Sequence, residues 1–201
     1  MAVVQEVMGM RVEVRNDCVL LDGYVNAVGR DSRVIPDRRG GFVEQVMPGT
    51  FARALGKGKP TELKLNHERT LGSTATGDIE LFEDSIGLRA KAKVTDAAVI
   101  DKARKQQLRG WSFGFRNPVS EWEERADAPP RRYLKDFDLI EVTLVDDNKL
   151  PAYPATSIAS SHGAETVPKI LDAVIDGTIS KYVGGKKTVH IEKTATKPFF
   201  R

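Results

Sequence analysis

Gly110-Trp111-Ser112-Phe113-Gly114-Phe115 sets three aromatic residues at every second position, with one serine between glycines. A period of two is the period of a β-strand. Trp111, Phe113 and Phe115 then point to one face as core candidates, while Gly110, Ser112 and Gly114 share the other. Ser112 stands on a nearly bare backbone, which leaves room for a second polypeptide to approach its hydroxyl, as a peptide-cleaving nucleophile requires. The plain alternative is a core strand whose small face packs against a helix.

The same six residues satisfy Gly-x-Ser-x-Gly, the pattern of the α/β-hydrolase nucleophile elbow. That elbow needs strand, sharp turn and helix in succession. Here Phe113-Gly114-Phe115-Arg116-Asn117-Pro118 continues an extended chain and sets a proline where a helix would be growing. No His-Gly-Gly segment offers oxyanion donors. An esterase of that fold is therefore the weaker alternative.

A nucleophilic serine needs a base, most commonly histidine, and the chain has three. His162 follows the linker-like Ala155-Thr156-Ser157-Ile158-Ala159-Ser160-Ser161, and His190 lies beyond Gly184-Gly185-Lys186-Lys187; both read as solvated. His67 ends the run Leu63-Lys64-Leu65-Asn66-His67, where its parity with Leu63 and Leu65 sets it at the end of a buried strand face. A lone histidine there is more often a packed structural residue than a base, and a candidate nucleophile shifts that balance. For a third group, the strand from Phe137 to Val145 puts Glu141 in one row with Phe137, Leu139 and Val145. A carboxylate buried there demands a cationic or hydrogen-bonding partner, and His67 is one. A solvent-facing edge position, or a salt bridge to one of the chain's arginines, is the ordinary reading of Glu141. Asp136 and Asp138 stay open as alternatives, Asp138 with the opposite parity.

Several short motifs, each weak alone, fall in a specific order. They are Pro48-Gly49-Thr50-Phe51, Asn66-His67-Glu68 with Leu71-Gly72, Gly87-Leu88, the Ser112 segment, and Glu141-Val142-Thr143-Leu144-Val145 leading to Pro151-Ala152-Tyr153-Pro154. In this order they resemble the prohead proteases of tailed bacteriophages, the capsid-maturation serine endopeptidases, over most of the first 157 positions. The resemblance selects His67 and Ser112 independently of parity. It implies an α+β, β-rich fold like that of the herpesvirus assemblins: a closed or nearly closed, mainly antiparallel barrel surrounded by a few helices. In those viral relatives the third catalytic group is a second histidine; the matching strand here has none, so the role falls to Glu141 or is unfilled. No residue after Pro154 matches their arginine-assisted oxyanion site. Asn148-Lys149-Leu150 also lengthens the segment before Pro151 relative to the family.

What the resemblance implies is cleavage of the major capsid protein or its scaffold segment inside an assembling procapsid in the host cytoplasm, with self-cleavage and self-association open, and no cofactor or metal. A non-catalytic scaffold-binding module of the same fold is the rival from another class.

Composition is consistent with this. The 201 residues suffice for one substantial core plus an appendage. A formal charge of +3 and a pI near 8.9 are too mild to argue for nucleic acid as a partner. Arg30, Arg33, Arg38 and Arg39 are interleaved with Asp31 and Asp37, as in a solvated loop. Cys18 is the single cysteine, so no intrachain disulfide forms, in keeping with a reducing cytoplasm. Residues 1–10 lack the pattern of a secretion signal, and no apolar run approaches membrane-spanning length.

Along the chain, Arg11 to Val14 and Cys18 to Asn26 read as strands around an Asn16-Asp17 turn. Thr50 is expected to cap a short helix through Phe51 and Leu55, stopped by Gly56 and Gly58. Asp78 to Phe82 and Gly87 to Val94 read as an antiparallel pair. Thr95 is expected to cap a helix with Val99, Ile100, Ala103 and Leu108 as its apolar stripe, ending at Gly110. Residues 120–135 read as an exposed excursion. The protease domain is expected over 1–156. A linker and tail over 157–201 would dock or be self-processed, with a short amphipathic helix at Ile170, Leu171, Val174 and Ile175.

Overall fold

The alternation of apolar and polar residues in Met10-Arg11-Val12-Glu13-Val14 and Gly87-Leu88-Arg89-Ala90-Lys91-Ala92-Lys93-Val94 dictates strands with one buried face, and that is how these segments fold. A computed structural model describes residues 3–7, 10–38, 40–147 and 152–153, with the backbone of 171–175, 178–183 and 186–190. In chain order the elements are β1 (Val3–Val7), β2 (Met10–Val14), β3 (Val19–Ala27), β4 (Val43–Val46), α1 (Thr50–Gly56), β5 (Glu62–Leu65) and β6 (Arg69–Ser73). They continue with β7 (Ile79–Glu83), β8 (Gly87–Val94), α2 (Ala97–Arg104), β9 (Leu108–Glu123) and β10 (Arg131–Asp146). Three further strands follow, β11 (Leu171–Ile175), β12 (Thr178–Val183) and β13 (Lys186–His190).

One antiparallel sheet has the order β1-β2-β3-β8-β7. The second is organised by β10. Along one edge β10 pairs antiparallel with β9, and its other edge takes β4 at Arg131 to Leu134 and β5 at Glu141 to Leu144, both parallel, with β6 beyond β5. A single apolar core joins the two sheets, with Val12, Leu21 and Leu88 from the first and Leu63, Phe113, Phe137 and Leu144 from the second. Neither sheet closes on itself, so the fold is β-rich α+β as expected but the barrel is not observed. The reason lies in the pairing: among the described residues the two edges of the first sheet, β1 and β7, have no partner strand in the second.

Within this frame Trp111, Phe113 and Phe115 are buried as the period of two requires. Phe113 lies edge-on to Phe51 of α1 at 5.1 Å and stacks on Tyr153 at 5.1 Å, while Phe115 stacks on Phe137 at 4.9 Å. Such offset and edge contacts add to the area these rings bury and lock the strand's orientation.

Five local expectations are corrected. The cap of α2 is Asp96, whose carboxylate accepts from the amides of Ala98 and Val99, one residue beyond Thr95. The helix ends at Arg104, and Leu108 already belongs to β9. Thr50 lies inside α1 after the left-handed Gly49; its hydroxyl donates to the carbonyls of Leu134 and Lys135, so it ties the helix to β10 instead of capping it. Glu83 accepts from the amides of Gly49 and Ala52 at that helix start. Residues 120–135 are largely exposed but not irregular, because β9 and β10 extend into them as a ribbon pairing Glu123 with Arg131. Leu171–Ile175 is a strand, not a helix. It opens a three-stranded antiparallel sheet in which Ile175 pairs with Thr178 and Val183 with Lys186, across Asp176-Gly177 and Gly184-Gly185. Asp-Gly and Gly-Gly are the dipeptides that two-residue hairpin connections favour, a signal that outweighs the apolar spacing. Asn148-Lys149-Leu150 and His162 lie outside the described residues.

Candidate active site

Residues opposite one another on paired strands present their side chains to the same face. Ser112 of β9 is opposite Thr143 of β10, and Gly114 is opposite Glu141. On the other edge of β10, Glu141 is opposite Glu62 and Thr143 opposite Lys64. Ser112, Glu141, Thr143, Glu62 and Lys64 therefore share one face, and Phe113, Val142 and Leu63 share the apolar one.

Glu141 reaches this face through a break in the ladder. Leu139 is opposite Phe115, but Glu141 is opposite Gly114, so Ile140 is an extra residue on β10. A bulge of one residue reverses the alternation beyond it. Glu141 consequently leaves the face of Leu139 and keeps only Val145 from its expected apolar row. Gly114 has a corresponding role: a Cβ there would stand 2.9 Å from Glu141 Cγ and 3.1 Å from Oε1, so the carboxylate occupies the space that the missing side chain leaves.

His67 arrives by a second reversal. β5 ends at Leu65, and both Asn66 (φ 55°) and His67 (φ 63°) are left-handed, an uncommon conformation for residues other than glycine. Three bonds pin that turn to β10. The Asn66 amide donates to the Leu144 carbonyl at 2.7 Å, the His67 amide to Thr143 Oγ1 at 3.0 Å, and the Asp146 amide to Asn66 Oδ1 at 3.1 Å. The turn swings the imidazole from the expected Leu63/Leu65 face to that of Glu141. Its Nδ1 lies 2.5 Å from Glu141 Oε1.

The cluster is buried, with His67 at 4%, Ser112 at 6% and Glu141 at 6% exposure. Glu141 Oε2 is 2.8 Å from Lys64 Nζ, which also lies 2.9 Å from Glu62. Burial pushes the Glu141 carboxyl pKa up, but the bond and charge of His67, together with Lys64, outweigh it and hold the group below its ordinary value. For Lys64, burial works against the charge, and the bonds to Glu141 and Glu62 overcome it, so its pKa is raised.

With Nδ1 engaged by Glu141, the other ring nitrogen, Nε2, is the one left to exchange a proton, and it is buried without a hydrogen-bond partner among the described residues. Ser112 Oγ is accordingly not bonded to it here. Nucleophile-to-base bonds are often long before substrate binds. Serine, imidazole and carboxylate on one buried face can deprotonate a hydroxyl and stabilise the imidazolium that results. Asp136 and Asp138 are engaged elsewhere: Asp136 pairs with Lys57 at 3.0 Å, and Asp138 with Lys57 and Lys59, both at 3.1 Å, and with Asn117. The side chain of His190 lies outside the described residues.

Thr143 and Lys64 were missed from the sequence. Both sit on an alternating strand beside a candidate residue, but their common face depends on the pairing of β5 with β10, which no local pattern encodes.

A family model described as Caudovirus prohead serine protease matches residues 6–170. No curated protein and no solved structure matches the chain.

Proposed function

For this chain, which belongs to the Caudovirus prohead serine protease family and so to the serine peptidases of phage capsid maturation, we propose that Ser112, His67 and Glu141 form the catalytic triad. Ser112 Oγ attacks the scissile carbonyl while His67 Nε2 takes its proton. The tetrahedral adduct collapses as the imidazolium returns that proton to the leaving amine, giving an acyl-enzyme and a free amino terminus. Water, deprotonated by the same nitrogen, then attacks the acyl carbonyl; the bond to Ser112 Oγ breaks as the imidazolium returns the proton to that oxygen, releasing the acid. Glu141 holds Nδ1–H and offsets the charge on the ring.

The substrates on this reading are the capsid protein precursor or a scaffold segment, with the protease's own tail a further target. The active domain spans 1–156 and the tail, 157–201, docks it within the procapsid. The observation that carries the reading is the convergence of two departures from regular geometry, the bulge at Ile140 and the left-handed turn at Asn66-His67, on the face that bears Ser112. A fluorophosphonate probe should label the purified protein at Ser112, and Ser112→Ala should lose both labelling and cleavage of the cognate capsid precursor while unfolding normally. A stable adduct mapped to any other residue, or cleavage retained by Ser112→Ala, would overturn the nucleophile assignment.

A further inference from the structure

We propose that Lys64 is a positioning residue of this site: its ammonium holds the outer oxygen of Glu141, so that the carboxylate stays oriented towards the imidazole of His67. The proposal rests on the reading of His67 and Glu141 as base and orienting group. It starts from a division of labour on one carboxylate, with Oε1 at 2.5 Å from His67 Nδ1 and Oε2 at 2.8 Å from Lys64 Nζ. A carboxylate bound at one oxygen can still rotate about its last torsion, which is broad and weakly restrained. Bound at both, it presents Oε1 in a fixed plane.

Lys64 reaches this oxygen because it is opposite Thr143 on the neighbouring strand, two residue pairs along from Glu141 and on the same face. Its side chain is 19% exposed and that of Glu141 8%, so the contact is screened less than a surface ion pair. Glu62 binds the same ammonium at 2.9 Å and offsets its charge from the solvent side. Other charges around the site are committed elsewhere. Arg69 of β6 pairs with Asp96 at 2.5 Å, and Asp146 at the end of β10 pairs with Lys102 at 2.9 Å. Glu68, next to His67, is exposed and also has a partner. On β9, the neighbours of the cluster are Gly114 and Ser112, which bring no charge. Among the described residues, Lys64 is thus the cation in contact with Glu141 besides His67 itself.

A merely structural ion pair and a positioning one predict different kinetics. Lys64→Met removes the ammonium and keeps much of the stem. It should leave the fold intact and KM within about twofold, but lower kcat about tenfold, in the range of lost supporting contacts and far short of losing the orienting carboxylate. Removing one positive charge beside the site should also move the rising limb of kcat/KM to higher pH. Lys64→Arg, which keeps charge and donor, should restore most of both. In a Glu141→Gln background Lys64→Met should add little, because the group through which it acts has changed. Wild-type kcat and pH profile in Lys64→Met, or the same loss with and without Glu141, would overturn the proposal. Wild-type turnover in Glu141→Gln alone would instead reject the triad reading beneath it.

Discussion

Two buried carboxylates lie on the same sheet, and their surroundings differ in kind. Glu44 of β4 is opposite Arg132 of β10 and receives Arg132 Nε at 2.5 Å, while the Tyr153 hydroxyl donates to its other oxygen. Arg132 in turn lies over Phe42 at 5.0 Å, Trp122 at 5.7 Å and Phe115 at 6.0 Å. Neither of these two partners changes protonation near neutral pH: the guanidinium keeps its charge, and burial, reinforced by Glu44, pushes the Tyr153 pKa well above its ordinary value. Glu141, also buried at the other end of β10, faces an imidazole whose second nitrogen has no hydrogen-bond partner among the described residues. A buried charge alone therefore does not mark a reactive site. A titratable partner with an unused atom distinguishes the Glu141 end of β10 from the Glu44 end, and the proposed triad rests on that difference.

The largest expected effect separates these ends by activity. Glu141→Gln should reduce turnover on the capsid precursor by between about 10² and 10⁴-fold, the upper figure being that of a buried serine-protease aspartate, with the fold retained. Near-normal turnover would erase the distinction. The same variant sharpens the comparison in acid. Because the folded pKa of Glu141 lies below the ordinary 4.5, its stabilisation is complete above that value and fades as pH falls through the lower folded one. Glu141→Gln should therefore lose less stability between neutral and acid pH than the wild type, as read from denaturant midpoints.

The opposite signature is expected at the other end. Arg132→Met takes the guanidinium from the buried Glu44 and should destabilise the protein by about 3–5 kcal/mol, while turnover per folded molecule stays unchanged at temperatures where both variants are folded. A turnover loss greater than the loss of folded protein would show that the two ends are coupled. Thr143→Val is the finest test. It strands the buried His67 amide, a loss of about 1–3 kcal/mol, and loosens the turn that aims the ring, so kcat should fall and Thr143→Ser should restore it. Stability loss with unchanged kcat would reduce Thr143 to a packing residue.

Much of this was legible along the chain because it is local. The alternation in Trp111 to Phe115 gave both the strand and its buried face, and the Gly87 to Val94 strand followed in the same way. The sequence offers the serine, histidine and glutamate as candidates, yet parity places the last two on the apolar face, away from Ser112. Counting parity assumes an unbroken ladder. The extra residue at Ile140 breaks it on β10, and the paired left-handed residues Asn66 and His67 break it after β5. Neither Ile140 nor Asn66-His67 carries the glycine that would have announced an irregularity.

By itself, then, the sequence determined the family, the β-rich class and the strand that presents Ser112, since order of motifs and period of two belong to the chain alone. Tertiary structure decided that the two sheets remain open and which face His67 and Glu141 occupy. It also decided that Lys64 and Thr143 join them. These are matters of register between strands distant in sequence. Glu141 meets Gly114 and Glu62 only after β10 has paired with β9 on one edge and β5 on the other, and the energies that select that pairing come from contacts no single segment contains.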